Sequence, residues 1–277
     1  IDVCHDALAR YAPRVAPGSV PAGAISGPVR RSALVFTKAT DYQHDSRVPA
    51  AKCIEGILRE KGWEVTVSED SAYLEAGHPS TYDLVVLVNN SGQIFNPEQT
   101  TLKDHVARGK AVIGLHAALA SFLNGEDASG ATELGATTTL IQDIFGAHFT
   151  NHPEPQTGEV NVAHSDSMDD LSEAFRALPA KFSHHDEFFN FASNPVEVEG
   201  LKVLATVDEK SYEGGKHGDR HPVAWCRELG DKKAPVFYLA LGHFTEFYGQ
   251  EQRQGPIQRL LTAGVEFVEN RLSGGKA

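Results

Sequence analysis

This chain of 277 residues is poor in several things. It has three cysteines, Cys4, Cys53 and Cys226, and one methionine. Three cysteines are too few for a disulfide scaffold. One bridge, for instance Cys4 to Cys53, stays open, while Cys226 in the apolar run Pro222–Cys226 reads as a core thiol. No apolar run reaches the roughly 18 residues a membrane helix needs. Positive charge is in deficit: 25 Lys and Arg against 37 Asp and Glu leave a net charge of -12. That charge repels a phosphate backbone and excludes general nucleic-acid binding; it serves solubility instead. A nucleotide fingerprint is also missing. Gly214–Gly218 matches neither a P-loop nor a dinucleotide turn and reads as a flexible loop. The first residue is Ile1, not Met, and with the scarcity of cysteine this favours a processed, exported chain over a cytoplasmic one.

Histidine is what the chain has instead, 13 in all. His44, His116, His148, His152, His184, His185, His221 and His243 nearly all end an apolar run or sit in the turn after one. Imidazole changes charge near neutral pH and binds metals. Repeated placement at strand ends therefore points to a polar pocket.

Alternation of apolar runs and amphipathic segments sets the expected fold. Residues 1–31 read as an arm with a short helix at Asp6–Tyr11. Strands follow at 32–37, 64–68, 82–88 and 111–115, with helices at 48–61 and 97–108 between them. The continuous apolar run at 82–88 suits the middle of a parallel sheet covered on both faces. The pattern predicts an α/β fold, a flavodoxin-like open parallel sheet with helices on both faces. The second half adds strands at 159–163, 202–207, 223–227 and 236–241, a short helix at 170–177 and a last helix at 255–272. One domain over 32–272 is expected, with an insertion or lid at Asn124–Thr139 and a tail at 273–277. Ligands of such sheets bind beyond the carboxyl ends of the strands, so Lys38–Ser46, Asn89–Gly92 and His116–Ala118 share a rim.

Each constellation has a functional and a plain structural reading. Gly114-Leu115-His116-Ala117-Ala118 is a small-residue turn of the kind that lifts a side chain out of a strand end. Its apex is His, so a cysteine or serine nucleophile is missing there. His116 is a base, an oxyanion donor or a metal ligand, or else it caps the strand. Asp45 or Ser46 caps the following helix, which leaves His44 free to face the cleft. His184-His185-Asp186-Glu187-Phe188-Phe189-Asn190-Phe191 sets an acidic pair among aromatics. That pair is expected to have raised pKa values and to do acid–base work. His148 and His152 stand four apart, but Pro153 argues against a helical metal pair. His221 enters one strand beside Trp225, and His243 leaves another.

Together these strings resemble the ThuA-like (trehalose utilisation) family, a branch of the class I glutamine amidotransferase-like superfamily. The matching strings are His44-Asp45-Ser46, Gly114–Ala118, Gly146-Ala147-His148-Phe149 with His152-Pro153, and Asp186–Phe191 with Asn194-Pro195. Val203–Glu209, His221–Trp225 and Phe237–His243 complete the set, in family order across residues 32–270. The chain departs from the family pattern at Ala120-Ser121, where an acidic residue is usual, at Phe188-Phe189, where a Tyr or Trp is usual, and at Arg220, which replaces a common Asp. The resemblance implies a flavodoxin-like sheet and a role in disaccharide utilisation, alongside dehydrogenases that oxidise the sugar C3 hydroxyl.

The expected function is therefore carbohydrate-active: elimination, hydrolysis or isomerisation of a keto-sugar or keto-glycoside, as a lyase or hydrolase, without a covalent nucleophile. His44, His116, Asp186, Glu187 and His243 are the expected catalytic residues. Asn89, Asn90, His148, His152, Phe189, His221 and Trp225 are expected to bind substrate. No cofactor is expected; the histidine count permits a divalent metal, though no ligand spacing demands one. The expected partner is a small sugar or oligosaccharide, with no nucleic acid or membrane and homo-oligomerisation left open. Two alternatives stand: a non-catalytic sugar-binding or regulatory module, and a metal-dependent glycoside-processing hydrolase.

Overall fold

The computed structural model describes residues 30–75, 81–96, 100–122, 138–163 and 172–274. Most of the expected arm with its short helix, Cys4, and most of the Asn124–Thr139 insertion lie outside the described residues.

Strands β1 (Ser32–Phe36), β2 (Glu64–Ser68), β3 (Leu84–Val88) and β4 (Ala111–Leu115) form the first half, with helices α1 (Arg47–Glu60) and α2 (Leu102–Ala107). Strands β3 and β4 are buried at every position, which is why their sequences are apolar throughout rather than alternating. Helix α1 has Pro49 in its first turn and stops at Gly62, whose φ of +85° suits a residue without a Cβ. The second half carries α3 (Thr138–Phe145), β5 (Phe149–Asn151), β6 (Gln156–Val162), α4 (Glu173–Arg176), β7 (Lys181–Asp186), β8 (Asn190–Phe191), β9 (Lys202–Asp208), β10 (His221–Leu229), β11 (Ala234–Leu239) and α5 (Pro256–Leu272).

One nine-stranded sheet has the order β2-β1-β3-β4-β11-β10-β9-β6-β7, and β5 pairs with β8 in a separate two-stranded ribbon. Strands β2, β1, β3, β4 and β11 run parallel. From β11 onward every pairing is antiparallel. This is the flavodoxin-like α/β core with strand-rich additions. Helix α5 buries Ile257, Leu260, Leu261, Val265 and Val268 and lies close on β11. A Cβ at Gly264 would come within 2.5 Å of the Phe237 ring, so the small residue sets that approach. Among the described residues no helix is long and apolar enough to cross a membrane.

His105, on α2, illustrates a buried histidine with a purely structural task. Its Nε2–H donates to the Ala111 carbonyl over 2.8 Å, which ties α2 to the start of β4. Burial pushes its pKa down to about 4. The unfolded chain binds this proton near pH 6.5, whereas the folded chain binds it only near pH 4. The contribution of neutral His105 is thus fully present above pH 6.5 and lost as pH falls toward 4, a change of about 3 kcal/mol. In His105→Gln the amide does not titrate. Urea unfolding followed across pH 4 to 7 is expected to show that variant losing about 3 kcal/mol less than wild type over this window.

Candidate active site

Four loops meet beyond the carboxyl ends of the parallel strands. The first, between β1 and α1, brings His44. The second, after β3, brings Asn89 and Asn90. The third is the turn His116–Ala120 leaving β4, and the fourth is Leu241-Gly242-His243 after β11. Glu187 arrives from outside the parallel set, on the link between β7 and β8. Strand β5 pairs with β8 and carries His148 and His152 at its flanks.

His44, His116, His243 and Glu187 converge. One donor atom from each lies within 4.8 Å of all the others. The three imidazoles stand nearly perpendicular to one another. Ring centroids are 5.0 Å apart for His44 and His116, 5.1 Å for His44 and His243, and 5.4 Å for His116 and His243. Glu187 Oε2 is 3.0 Å from His243 Nδ1 and 3.5 Å from His116 Nε2, and Oε1 is 3.6 Å from His152 Nδ1.

Backbone geometry aims these groups. His116 has φ +44°, a left-handed conformation uncommon for a residue with a Cβ. Buried Ala117 and Ala118 leave room for that bend. His116 Nδ1–H donates to the Ala240 carbonyl over 2.7 Å, so Nε2 is the ring atom that faces Glu187. His152 Nδ1–H donates to the Pro153 carbonyl over 2.9 Å, so Nε2 is the ring nitrogen not engaged in that bond; its side chain is 35 % exposed. Phe189 packs beside both rings, 4.4 Å from His116 and 5.8 Å from His152.

The electrostatics follow from burial and crowding. Burial, then the charges of His116 and His243, pushes His44 down to about 2, so it is neutral. Burial alone would lower His243, but the Glu187 carboxylate 3.0 Å from its Nδ1 outweighs this and the net direction is up. Burial alone would raise Glu187, yet its contacts with His116 and His243 hold it well below the usual carboxylate range. Asp186 behaves alike: burial pulls its pKa up, the His184 hydrogen bond and the charge of His116 pull harder, and it too is lowered. The expectation of a raised acidic pair is therefore corrected. The aromatic neighbours do desolvate these carboxylates, but the histidines and backbone donors outweigh that.

Several expected site residues have other tasks. Asp186 is wholly buried. It accepts from His184 Nε2 (2.9 Å), Glu187 N (2.9 Å), Gly242 N (2.7 Å) and His243 N (3.1 Å), so it positions Glu187 and His243 rather than meeting substrate. Asn89 donates to Ser46 Oγ, and Asn90 to the Phe36 and Lys38 carbonyls. Both are wholly buried and stitch the rim loops together. His221 is also wholly buried; its Nε2–H donates to the Phe189 carbonyl and its Nδ1 meets Tyr212 Oη and Glu209. It anchors the segment that carries Glu187. Trp225 is a core residue, with Nε1–H on the Phe145 carbonyl. His148 is buried next to β5, with Nδ1 unpartnered, and burial lowers its pKa. The Gly214–Gly218 loop is held, because Glu209 accepts from His217 N and Gly218 N.

Tyr42 escaped the sequence reading. It is the one exposed large hydrophobic side chain among the described residues, at 61 %, and it stands edge-on to His44 at 4.7 Å. The signal was its position two residues before His44.

Fold and site together define a flavodoxin-like α/β protein with a histidine–carboxylate cluster beyond the carboxyl ends of its parallel strands. The chain belongs to the ThuA family, described as trehalose utilisation, which matches residues 32–268. A ThuA-like protein from Bacteroides uniformis is similar in fold, with a TM-score of 0.60 at 19% identity over 90% of this chain and 96% of that one. One from Parabacteroides merdae has a TM-score of 0.60 at 20% identity over 86% and 90%. The cytoplasmic protein STM1381 from Salmonella typhimurium LT2 has a TM-score of 0.53 at 14% identity over 85% and 98%. No curated protein matches the chain.

Proposed function

We propose that this protein is an enzyme that processes a keto-sugar or keto-glycoside. The observation that carries the reading is the convergence of His44, His116, His243 and Glu187, with half-exposed His152 beside them. The family description supports a disaccharide-derived substrate. Tyr42 at the mouth supports a sugar as well, because an aromatic face packs against the C–H groups of a pyranose.

The chemistry runs as an elimination. A ketone at C3 acidifies the proton on C2. His152 Nε2 takes that proton, and the electron pair moves through C2–C3 onto the carbonyl oxygen. The cluster polarises this oxygen and stabilises its developing charge. The enolate then collapses, the C1–O bond breaks, and the proton held by His152 passes to the departing glycosidic oxygen. The products are an unsaturated keto-sugar and a free alcohol. No covalent intermediate forms, in keeping with the absence of a nucleophile at the turn of His116.

Incubation with 3-keto-glycosides and with the same glycosides unoxidised tests this, with products resolved by mass and NMR. Release of the alcohol from the keto form alone is the expected outcome. Saturable binding of the sugar in calorimetry with no product from any keto-glycoside would replace the enzyme with a sugar-binding module.

A further inference from the structure

We propose that His44, His116, His243 and Glu187 bind one divalent transition-metal ion, and that this ion is the group that polarises the substrate oxygen. The binding stands on geometry alone; the use of the ion rests on the sugar-processing reading above.

The cluster is not explained by hydrogen bonding among its own members. His44 Nδ1, His116 Nε2 and His243 Nδ1 are all buried with no hydrogen-bond partner. A buried polar atom without a partner is costly, and here three meet at one place. The Glu187 carboxylate lies 3.0 Å from His243 Nδ1 and still makes no aligned hydrogen bond with it. Nitrogens and an oxygen that crowd together without pointing at one another point at a shared centre between them.

The distances suit such a centre. Bonds of about 2.1 Å to a metal put neighbouring donor atoms about 3.0 to 3.5 Å apart and opposite ones about 4.2 Å apart. The two measured approaches of Glu187 Oε2, 3.0 and 3.5 Å, fall in the first range, and no donor pair exceeds 4.8 Å. Near-perpendicular rings at 5.0 to 5.4 Å are what three imidazoles sharing one ion would show.

The supports around the cluster are those a metal site needs. Ligating histidines donate their other ring N–H to a carbonyl or carboxylate, which fixes the tautomer and the ring direction. His116 does this through Nδ1–H to Ala240 O. Asp186 holds the backbone of both Glu187 and His243, so a single buried carboxylate sets two ligands.

The donor set also bears on the ion. A tetrahedral ion would be closed by four protein ligands and could not meet substrate. An ion that takes five or six ligands, such as Mn²⁺, Fe²⁺, Co²⁺ or Ni²⁺, keeps positions for two neighbouring oxygens. A ketone and its adjacent hydroxyl on a sugar offer that pair.

The test uses the whole chain, stripped with a chelator, dialysed, and titrated with Co²⁺ by calorimetry and visible absorption. One equivalent per chain is expected, with the absorption bands of Co²⁺ bound to nitrogen and a raised Tm. His44→Ala and His243→Ala are each expected to weaken binding at least about 100-fold. His185→Ala, an exposed histidine outside the cluster, is expected to bind as wild type. Far-UV circular dichroism checks that each variant is folded, and His44→Gln serves if the alanine variant is not. A folded wild-type chain that takes up no stoichiometric Co²⁺, Mn²⁺, Zn²⁺ or Ni²⁺ overturns the site, as does undiminished binding by both cluster variants. Full turnover of a keto-glycoside by the stripped chain overturns the role given to the ion and leaves the sugar reading intact. Stoichiometric, cluster-dependent binding without turnover of any keto-glycoside upholds the site and removes the sugar reading instead.

Discussion

Asp186→Ala is expected to lower stability by about 3–5 kcal/mol and to abolish activity at the same time. The carboxylate is wholly buried and accepts from His184 Nε2 and from the backbone N–H groups of Glu187, Gly242 and His243. Truncation leaves four donors in the interior without an acceptor. Each would cost about 1–3 kcal/mol if nothing moved; relaxation of the β11 loop recovers part of the sum. That relaxation is what damages the site, because Gly242 and His243 move with it. Gly242 cannot settle elsewhere at no cost: its φ is +121°, and Tyr248 Oη donates to its carbonyl over 2.8 Å. Asp186→Asn separates the two effects. It keeps one acceptor oxygen and the shape, but turns an NH₂ toward an N–H donor. The expected loss is about 2 kcal/mol, with the protein folded and turnover still strongly reduced. Urea unfolding and turnover on the same samples check both variants. Wild-type stability in Asp186→Ala would mean that the carboxylate does not hold the rim.

The parallel half of the fold was legible because burial on both faces writes it as solid apolar runs. Leu84–Val88 and Ala111–Leu115 have no polar residue to place. The rim histidines were legible for the same reason. His116 follows such a run directly, His243 comes just beyond another, and the ligand rule for open α/β sheets puts both ends together. The antiparallel half was less legible, although one signal was available. Only Gly230–Lys233 separates β10 from β11, and so short a link joins antiparallel neighbours.

Of the acidic pair, the sequence could not say which member faces the cleft. Asp186 ends β7 and points into the interior, so its successor Glu187 faces the histidines. His221 failed for a subtler reason. Strand β10 runs antiparallel to β11, so its first residue does lie at the rim end of the sheet. The segment Phe188–Phe191, pinned by His221 itself, then covers it. Such coverage depends on a long-range pairing of β5 with β8, two strands of three and two residues that carry almost no periodic signal.

His116→Asn is expected to lower turnover of the keto-glycoside by about 10³-fold while leaving stability within about 1 kcal/mol of wild type. Asparagine is chosen for two reasons. The residue sits at φ +44°, and asparagine tolerates the left-handed region better than most residues with a Cβ. Its side-chain NH₂ also stands where Nδ1–H does, so the hydrogen bond to the Ala240 carbonyl has a replacement. What asparagine cannot supply is the ring nitrogen Nε2 that faces Glu187. The substitution therefore removes one member of the converging set and spares the strand end that holds it. A His116→Ala variant would mix the two, since it loses the Ala240 bond and keeps an unfavourable backbone. If His116→Asn turned over substrate within about tenfold of wild type, the chemistry would not pass through this cluster, and half-exposed His152 would have to act with partners outside it.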